Sequence, residues 1–220
     1  MFIKNALAAA LTLSLLSAAQ AGTVISAASA TVLGDDDGSG LIEDTYALYG
    51  LLTDYVSGVT DWATYFASNP LHETPFAGGE WFATRYTSTA AVSYDLGSVQ
   101  SIAGLALWNE DAAGIGSLNI LGSTDGSNWT TLLSNLTPTD NPLGTQYGAD
   151  LFNWSATNLR YVKLEMSGCP QPSGSGYESC SIGEVAFHAA SPVPEASTLA
   201  MGSLGLALMG VAVARRRKQA

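Results

Sequence analysis

The sequence predicts an all-β protein: one antiparallel β-sandwich of jelly-roll type over residues 22–190. Three observations carry the prediction. Apolar and polar residues alternate with a period of two in segment after segment, as in strands with one buried face. Gly, Asp and Pro punctuate those segments at the spacing that short sandwich strands need. And in Ser117 to Thr131 a strand runs into Asp125-Gly126, whose positive φ suits a tight reversal, before Trp129 begins the next run.

Taken in order, Met1 to Ala21 reads as a signal peptide. Lys4 supplies the positive start, Ala6 to Leu16 the apolar core, and Ala19-Gln20-Ala21 the small-x-small cleavage site. Thr23 to Leu33 alternates weakly and is a first-strand candidate. In Asp35 to Gly40, Asp35, Asp37, Ser39 and Gly40 match the start of a calcium loop, but Tyr46 holds the twelfth place, so the stretch reads as a solvated acidic turn. Leu41 to Phe66 has no clean period. Ser68 to Gly79 is a loop, and Glu80-Trp81-Phe82 resumes a strand.

From there strands are expected at Val92–Leu96, Ile102–Trp108, Leu118–Gly122, Tyr161–Glu165 and Val185–His188, with a short one at 152–154. Trp129 and Trp154 are assigned to the core. Cys169 and Cys180 stand close together in a Pro/Gly/Ser-rich loop. In an exported protein that spacing reads as a local disulfide clip.

Charge narrows the function classes. The whole chain carries −11 at neutral pH, but its basic residues sit mostly at the two ends. Between residues 22 and 190 only Arg85, Arg160 and Lys163 face eighteen acids, a balance of −15. Such a surface repels phosphate backbones, which argues against nucleic acid. It suits cations, neutral sugars or simple solubility.

The residues do not spell an enzyme. Gly122-Ser-Thr-Asp-Gly126 has Thr where a nucleophile elbow needs Ser, and reads as a hairpin turn. Glu110 and Asp111 are neighbours on one loop, a poor arrangement for two carboxylates that must flank a glycosidic bond, and read as solvated loop acids.

The order Tyr94-Asp-Leu-Gly97, Ser123-Thr-Asp-Gly-Ser-Asn-Trp129 and Arg160-Tyr-Val-Lys-Leu164 resembles the discoidin (coagulation factor C-type) sandwich, a galactose-binding-like fold, over roughly residues 81–188. The resemblance implies that loops at one end of the sandwich bind sugars or lipid head groups. Sugars need aromatic faces and planar polar groups, so Trp81, Arg85, Trp108, Asn109 and His72 are the candidate ligand contacts. It also implies a calcium ion wrapped by an Asp-Gly turn followed by Thr-x-Trp. Thr60-Asp61-Trp62 matches the latter part. Asp54, one residue further from the threonine than the pattern asks, and Glu184 would supply carboxylates, with Thr60, Ser57 and nearby backbone completing a Ca2+ site.

Residues 191–220 form a three-part tail: Val193-Pro194-Glu195-Ala196, an apolar run from Leu199 to Ala214, and Arg215-Arg-Arg-Lys218. The tail resembles the bacterial PEP-CTERM sorting signal, with Ala196 where the second proline usually stands. At about 1.5 Å per residue the apolar run just spans a thin hydrocarbon core as a transmembrane helix. The basic cluster keeps the end cytoplasmic. The resemblance implies an exosortase-type processing enzyme as partner. It implies transient residence in the inner membrane, then release to the cell surface or extracellular matrix. Two functions remain for the body: a non-catalytic module binding extracellular polysaccharide or another glycan, or a structural matrix (biofilm) protein that needs no small ligand.

Overall fold

Two long strands carry the fold. In the computed structural model, which describes residues 22–74 and 78–191, β5 (Thr89–Trp108) and β9 (Asp150–Ser167) pair antiparallel along most of their length. The leader Met1–Ala21, the tail residues Val193, Pro194, Glu195 and Ala196 and the helix expected over 199–214 lie outside the described residues.

The other strands assemble on this pair. In chain order they are β1 (Gly22–Ile25), β2 (Ser29–Val32), β3 (Leu71–His72), β4 (Trp81–Phe82), β6 (Ser117–Ser123), β7 (Thr130–Leu136), β8 (Tyr147–Gly148), β10 (Ser181–Ile182) and β11 (Glu184–Ala190). The main sheet runs β1-β11-β5-β9-β6-β7, with β2 joined to the first half of β5. β10 pairs with β4, and β3 with β8, as two small separate ladders.

The five strands expected from the period of two all lie inside observed strands, but two boundaries differ. Residues 92–96 and 102–108 are one strand, and residues 152–154 and 161–165 another. The chain turns a corner instead of leaving the ladder, and the register slips between Asp95 and Gln100. Gly97, at φ 80°, makes that corner, and its N–H donates to Asp95 Oδ1 at 2.8 Å. Arg160 forks onto the same carboxylate through Nε and Nη2, both at 2.9 Å.

Because β5 and β9 bend, one continuous sheet faces itself as an antiparallel β-sandwich. Tyr94, before the corner, meets Phe187 of β11 edge to face at 5.7 Å. Val92, Leu105, Leu107, Ile120, Leu164 and Phe187 are fully buried in this core. Each large apolar side chain so buried contributes about 1.5–3 kcal/mol. Trp129 and Trp154 are only half-buried. Trp154 packs against the edge of the core, with Nε1 donating to the Ile102 carbonyl, whereas Trp129 lies outside the core, its ring centre 4.9 Å from the Lys163 ammonium.

A second apolar cluster sits outside the sheet. Helix α1 (Trp62–Ala67), capped by Asp61 accepting from Thr64 N–H at 2.8 Å, packs Trp62 and Tyr65 with Val24, Trp108 and Ala186. Among the described residues no helix is long and apolar enough to cross a membrane.

Candidate functional site

A cleft of about 300 Å³ opens among the loops at one end of the sandwich. It is lined by the aromatic rings of Phe82 and Tyr177 together with Ser39, Glu80, Ala112 and Ser175. Three loops build it, each tied down by backbone bonds.

The acidic turn forms one side. It is exposed, as the sequence suggests, but tethered: Trp81 Nε1 donates to Asp36 Oδ1 at 3.0 Å, and Phe82 N–H donates to the Ser39 carbonyl at 2.8 Å. Gly40, at positive φ, lies so close to the residue before β4 that a Cβ there would collide with the Glu80 carbonyl oxygen. Only glycine admits that approach, which brings Ser39 and Gly40 to the cleft.

The loop between β9 and β10 forms the opposite side. Cys169 and Cys180 are disulfide-bonded across it, as their spacing predicts. Ser179 Oγ donates to the Ala83 carbonyl at 2.7 Å, and Tyr86 N–H donates to the Glu178 carbonyl. Tyr177 is thereby set edge-on to Phe82, with ring centres 5.3 Å apart. The Arg85 guanidinium lies 5.2 Å from the Tyr177 ring centre and 4.9 Å from that of Tyr86.

The loop after β5 is the third wall. Asn109 is fully buried, and its amide donates to Gln171 Oε1 at 2.7 Å and to the Thr139 carbonyl at 2.8 Å. Its own carbonyl oxygen Oδ1 accepts from Ile115 N–H. Glu110 accepts from the N–H groups of Ala112 and Ala113, and Asp111 accepts from Gly144 N–H. These two acids are therefore not solvated: both are buried because backbone donors hold them there.

Glu80 is 3 % exposed, and its Oε1 has no hydrogen-bond partner. His72 Nδ1 is the nearest base, at 3.8 Å, but its proton goes to the Glu73 carbonyl at 3.2 Å. Burial, then the charges of Glu73 and Asp111, push the Glu80 carboxyl up to about 7. Burial holds the His72 imidazole down to about 4. Asp111 Oδ1 and the Tyr147 hydroxyl are likewise buried without partners.

The five ligand contacts expected from sequence are scattered by this geometry. Trp81 points inward, Trp108 is fully buried with Nε1 donating to the Pro70 carbonyl, and Asn109 is the loop clamp. His72 is fully buried and stacked on Tyr147 at 5.0 Å. Those four have no surface to offer a sugar. Arg85 alone is exposed, at the cleft rim. The contacts that sequence reasoning missed are Phe82 and Tyr177. Period two puts Phe82 opposite the buried Trp81, and Tyr177 is the sole aromatic of an otherwise small-residue clipped loop.

The residues expected to hold calcium divide into two groups. Glu184 is fully buried; its Oε2 accepts from Leu48 N–H at 3.2 Å and its Oε1 accepts nothing. Burial first, with Asp44 and Asp54 adding, raises its pKa well above the ordinary value. Ser57 Oγ instead accepts from Ser26 N–H, and Thr60 Oγ1 from Val56 N–H. The Thr60 carbonyl accepts from Val24 N–H, so this loop is pinned to β1. Among the described residues no group of three or more His, Cys, Asp and Glu is placed to hold a metal ion. Glu184 keeps one carboxylate oxygen unpartnered, while the side chains of Ser57 and Thr60 are hydrogen-bonded within their own loop and to Ser26.

A family model described as the F5/8 type C domain matches residues 58–185, which contain β3–β10, α1 and most of the cleft. The chain belongs to the F5/8 type C family. A second model, the PEP-CTERM protein-sorting motif, matches residues 192–218 and implies export, exosortase processing and sorting to the cell surface. No curated protein matches the chain. Among solved structures, a truncated AlyQ with CBM32 and alginate lyase domains is 20 % identical at a TM-score of 0.50. The match covers 80 % of this chain and 35 % of that one, and shows a shared fold. The chitosan-binding module 1 of a Paenibacillus sp. IK-5 chitosanase/glucanase is 23 % identical at TM-score 0.41, covering 51 % of this chain and 78 % of that one. A Clostridium perfringens CBM32 module in complex with GalNAc-beta-1,3-galactose is 15 % identical at TM-score 0.45, covering 76 % and 95 %. The F5/8 type C domain of this chain thus shares its fold with the CBM32-containing AlyQ structure.

Proposed function

We propose that this F5/8 type C domain is a non-catalytic glycan-binding module, carried to the cell surface or extracellular polysaccharide by its sorting tail. One observation carries the reading: the cleft combines two aromatic walls, Phe82 and Tyr177, with a buried carboxyl that lacks a partner. Aromatic faces suit the C–H surface of a sugar ring, and a fixed carboxyl suits its polar substituents. Neither the acids of the cleft nor the buried histidines form a nucleophile and base pair. A glycan array probed with the purified protein, beside Tyr177→Ala, tests the reading. Binding to a defined set of glycans, lost in the variant, is expected; an array with no signal leaves a structural matrix protein in its place.

Calcium remains part of the proposal, anchored on Glu184. Calcium takes six to eight oxygens, many of them backbone carbonyls, and a buried carboxylate oxygen that accepts nothing is a suitable first ligand. Asp54 is exposed, yet close enough that its charge raises the Glu184 pKa, and it is the second candidate. When bound, the ion would neutralise charge and order the loop; no chemistry passes through it.

A further inference from the structure

We infer that His188 is a docking site for a primary ammonium group, and that its ligand is the chain's own amino terminus, created at Gly22 when the leader is removed. The inference rests on reading Met1–Ala21 as a leader and is independent of the glycan reading.

Its basis is a buried imidazole with nothing to bind. His188, in β11, is 7 % exposed, and neither of its ring nitrogens has a hydrogen-bond partner. Trp62 of α1 covers one face of the ring, stacked with centres 4.6 Å apart. Gly22 closes on Nε2, where a Cβ on residue 22 would collide with the ring. The register explains the approach. Val24 stands opposite His188, so Gly22, two residues earlier, is its diagonal neighbour on the same face.

Gly22 is fixed there, and it is buried although it begins its strand. β11 binds one edge of β1, with Gly22 opposite Ala190. The loop before α1 binds the other, through the bridge of Thr23 to Asp61 and the bond from Val24 N–H to the Thr60 carbonyl.

Leader removal changes what this fixed residue can donate. Water splits the Ala21–Gly22 peptide bond; the new carboxylate leaves on Ala21 and an ammonium stays on Gly22. A peptide nitrogen with one hydrogen becomes a group with three donors, one bond from the Cα that lies against the imidazole. Burial lowers the His188 pKa, so in neutral solution the ring offers a lone pair in place of a competing positive charge. Asp61, which caps α1, is the charged group that reaches His188, and its carboxylate favours a cation beside it. Docking would fasten the strand end that precedes the sorting tail, since Ala189 and Ala190 are the partners of Thr23 and Gly22.

The test compares two forms of the chain in detergent, one beginning at Gly22 and one at Ala21, both continuing to Ala220. In the second form the ammonium is displaced by one residue. NMR titration follows His188, with His72, the other histidine, as internal reference. A hydrogen bond to the neutral ring and a nearby positive charge both oppose protonation, so His188 should titrate lower in the form beginning at Gly22 while His72 does not move. That form should also melt about 2–4 °C higher, the shift one hydrogen bond gives in a chain of this size. His188→Phe, which keeps a ring against Trp62 and removes the acceptor, should erase the melting difference. Identical His188 titration in the two forms overturns the inference, even if their melting differs, because the extra residue then acts by packing alone. Should His188→Phe not fold, the titration of the wild-type forms decides. The mass of the amino-terminal peptide of the exported protein tests the leader reading separately: a start other than Gly22 overturns the inference through that reading, whatever the two forms show.

Discussion

His72 and Glu80 lie 3.8 Å apart in the interior, yet neither is charged by the other: the imidazole gives its proton to a backbone carbonyl and the carboxyl oxygen accepts nothing. The pair makes the fold sensitive to pH in a direction opposite to that of ordinary surface acids. Folding raises Glu80 from 4.5 to about 7, so between those values the folded chain binds more protons than the unfolded one. Its stabilising contribution is present below about 4.5 and is lost as pH rises through 7. Burial raises Glu110, Asp111 and Glu184 in the same sense. His72 and His188, both lowered by burial, oppose this only below their unfolded value of 6.5. The melting midpoint is therefore expected to fall from pH 6.5 to about pH 8, and Glu80→Gln to flatten that slope. A midpoint that rises across the same range would refute the assignment.

Trp108 and Tyr177 separate stability from binding. Trp108→Ala removes a fully buried indole and should cost about 3–5 kcal/mol in urea unfolding. Tyr177→Ala should leave the urea midpoint nearly unchanged and remove glycan binding. Reversed effects would place the ligand at the α1 side of the sheet.

Replacing both Cys169 and Cys180 by Ala opens a loop with a sequence separation of 11 residues. The chain-entropy model gives a loss of about 3 kcal/mol, read from the denaturant midpoint. The loop carries Tyr177, so affinity should drop as well. Unchanged affinity would show that the Ser179 and Glu178 bonds to the strand opposite hold the aromatic wall without the clip.

For the calcium proposal, thermal melting with calcium and with chelator is the direct measurement. At a concentration a hundredfold above its dissociation constant the ion would add about 2.7 kcal/mol. Glu184→Gln should abolish the difference. A wild-type midpoint identical in both solutions would remove calcium from the description.

Processing of the tail is read from the mass of the protein recovered from the cell surface. The sorting motif leads us to expect a product lacking Arg215 to Ala220. An intact basic end would indicate a membrane anchor instead.

Much of the sandwich was legible because one-sided burial imposes the period of two on the sequence. Val92, Tyr94 and Leu96 alternate with polar neighbours, and all three point into the core. The corner at Gly97 was not legible, because a bend that keeps its hydrogen bonds looks like two strands when only composition is read. The site was read less well, and the reason is specific. Trp81, Trp108, His72 and Asn109 have the chemistry of sugar contacts, but pattern reading cannot tell an aromatic that faces a ligand from one that closes a core. Glu110 and Asp111 were misread for the converse reason. Their charges suggested solvent, while the backbone donors that hold them inside come from Ala112, Ala113 and Gly144 and carry no side-chain signal.

β11 is hydrogen-bonded on both sides, to β1 and to β5, with Gly22 opposite Ala190 at one end and Glu184 opposite Trp108 at the other. The cleft lies near the Glu184 end, since Phe82 pairs with Ser181 just before it. Seven strand residues at about 3.3 Å each set the cleft about 20 Å from the point where the chain leaves toward the tail. A ligand held in the cleft and a pull on the residues after 190 would act at opposite ends of β11. Load between those two points would run lengthwise along β11. Two flanking ladders then share it in shear, many bonds at once, instead of opening one bond after another like a zip.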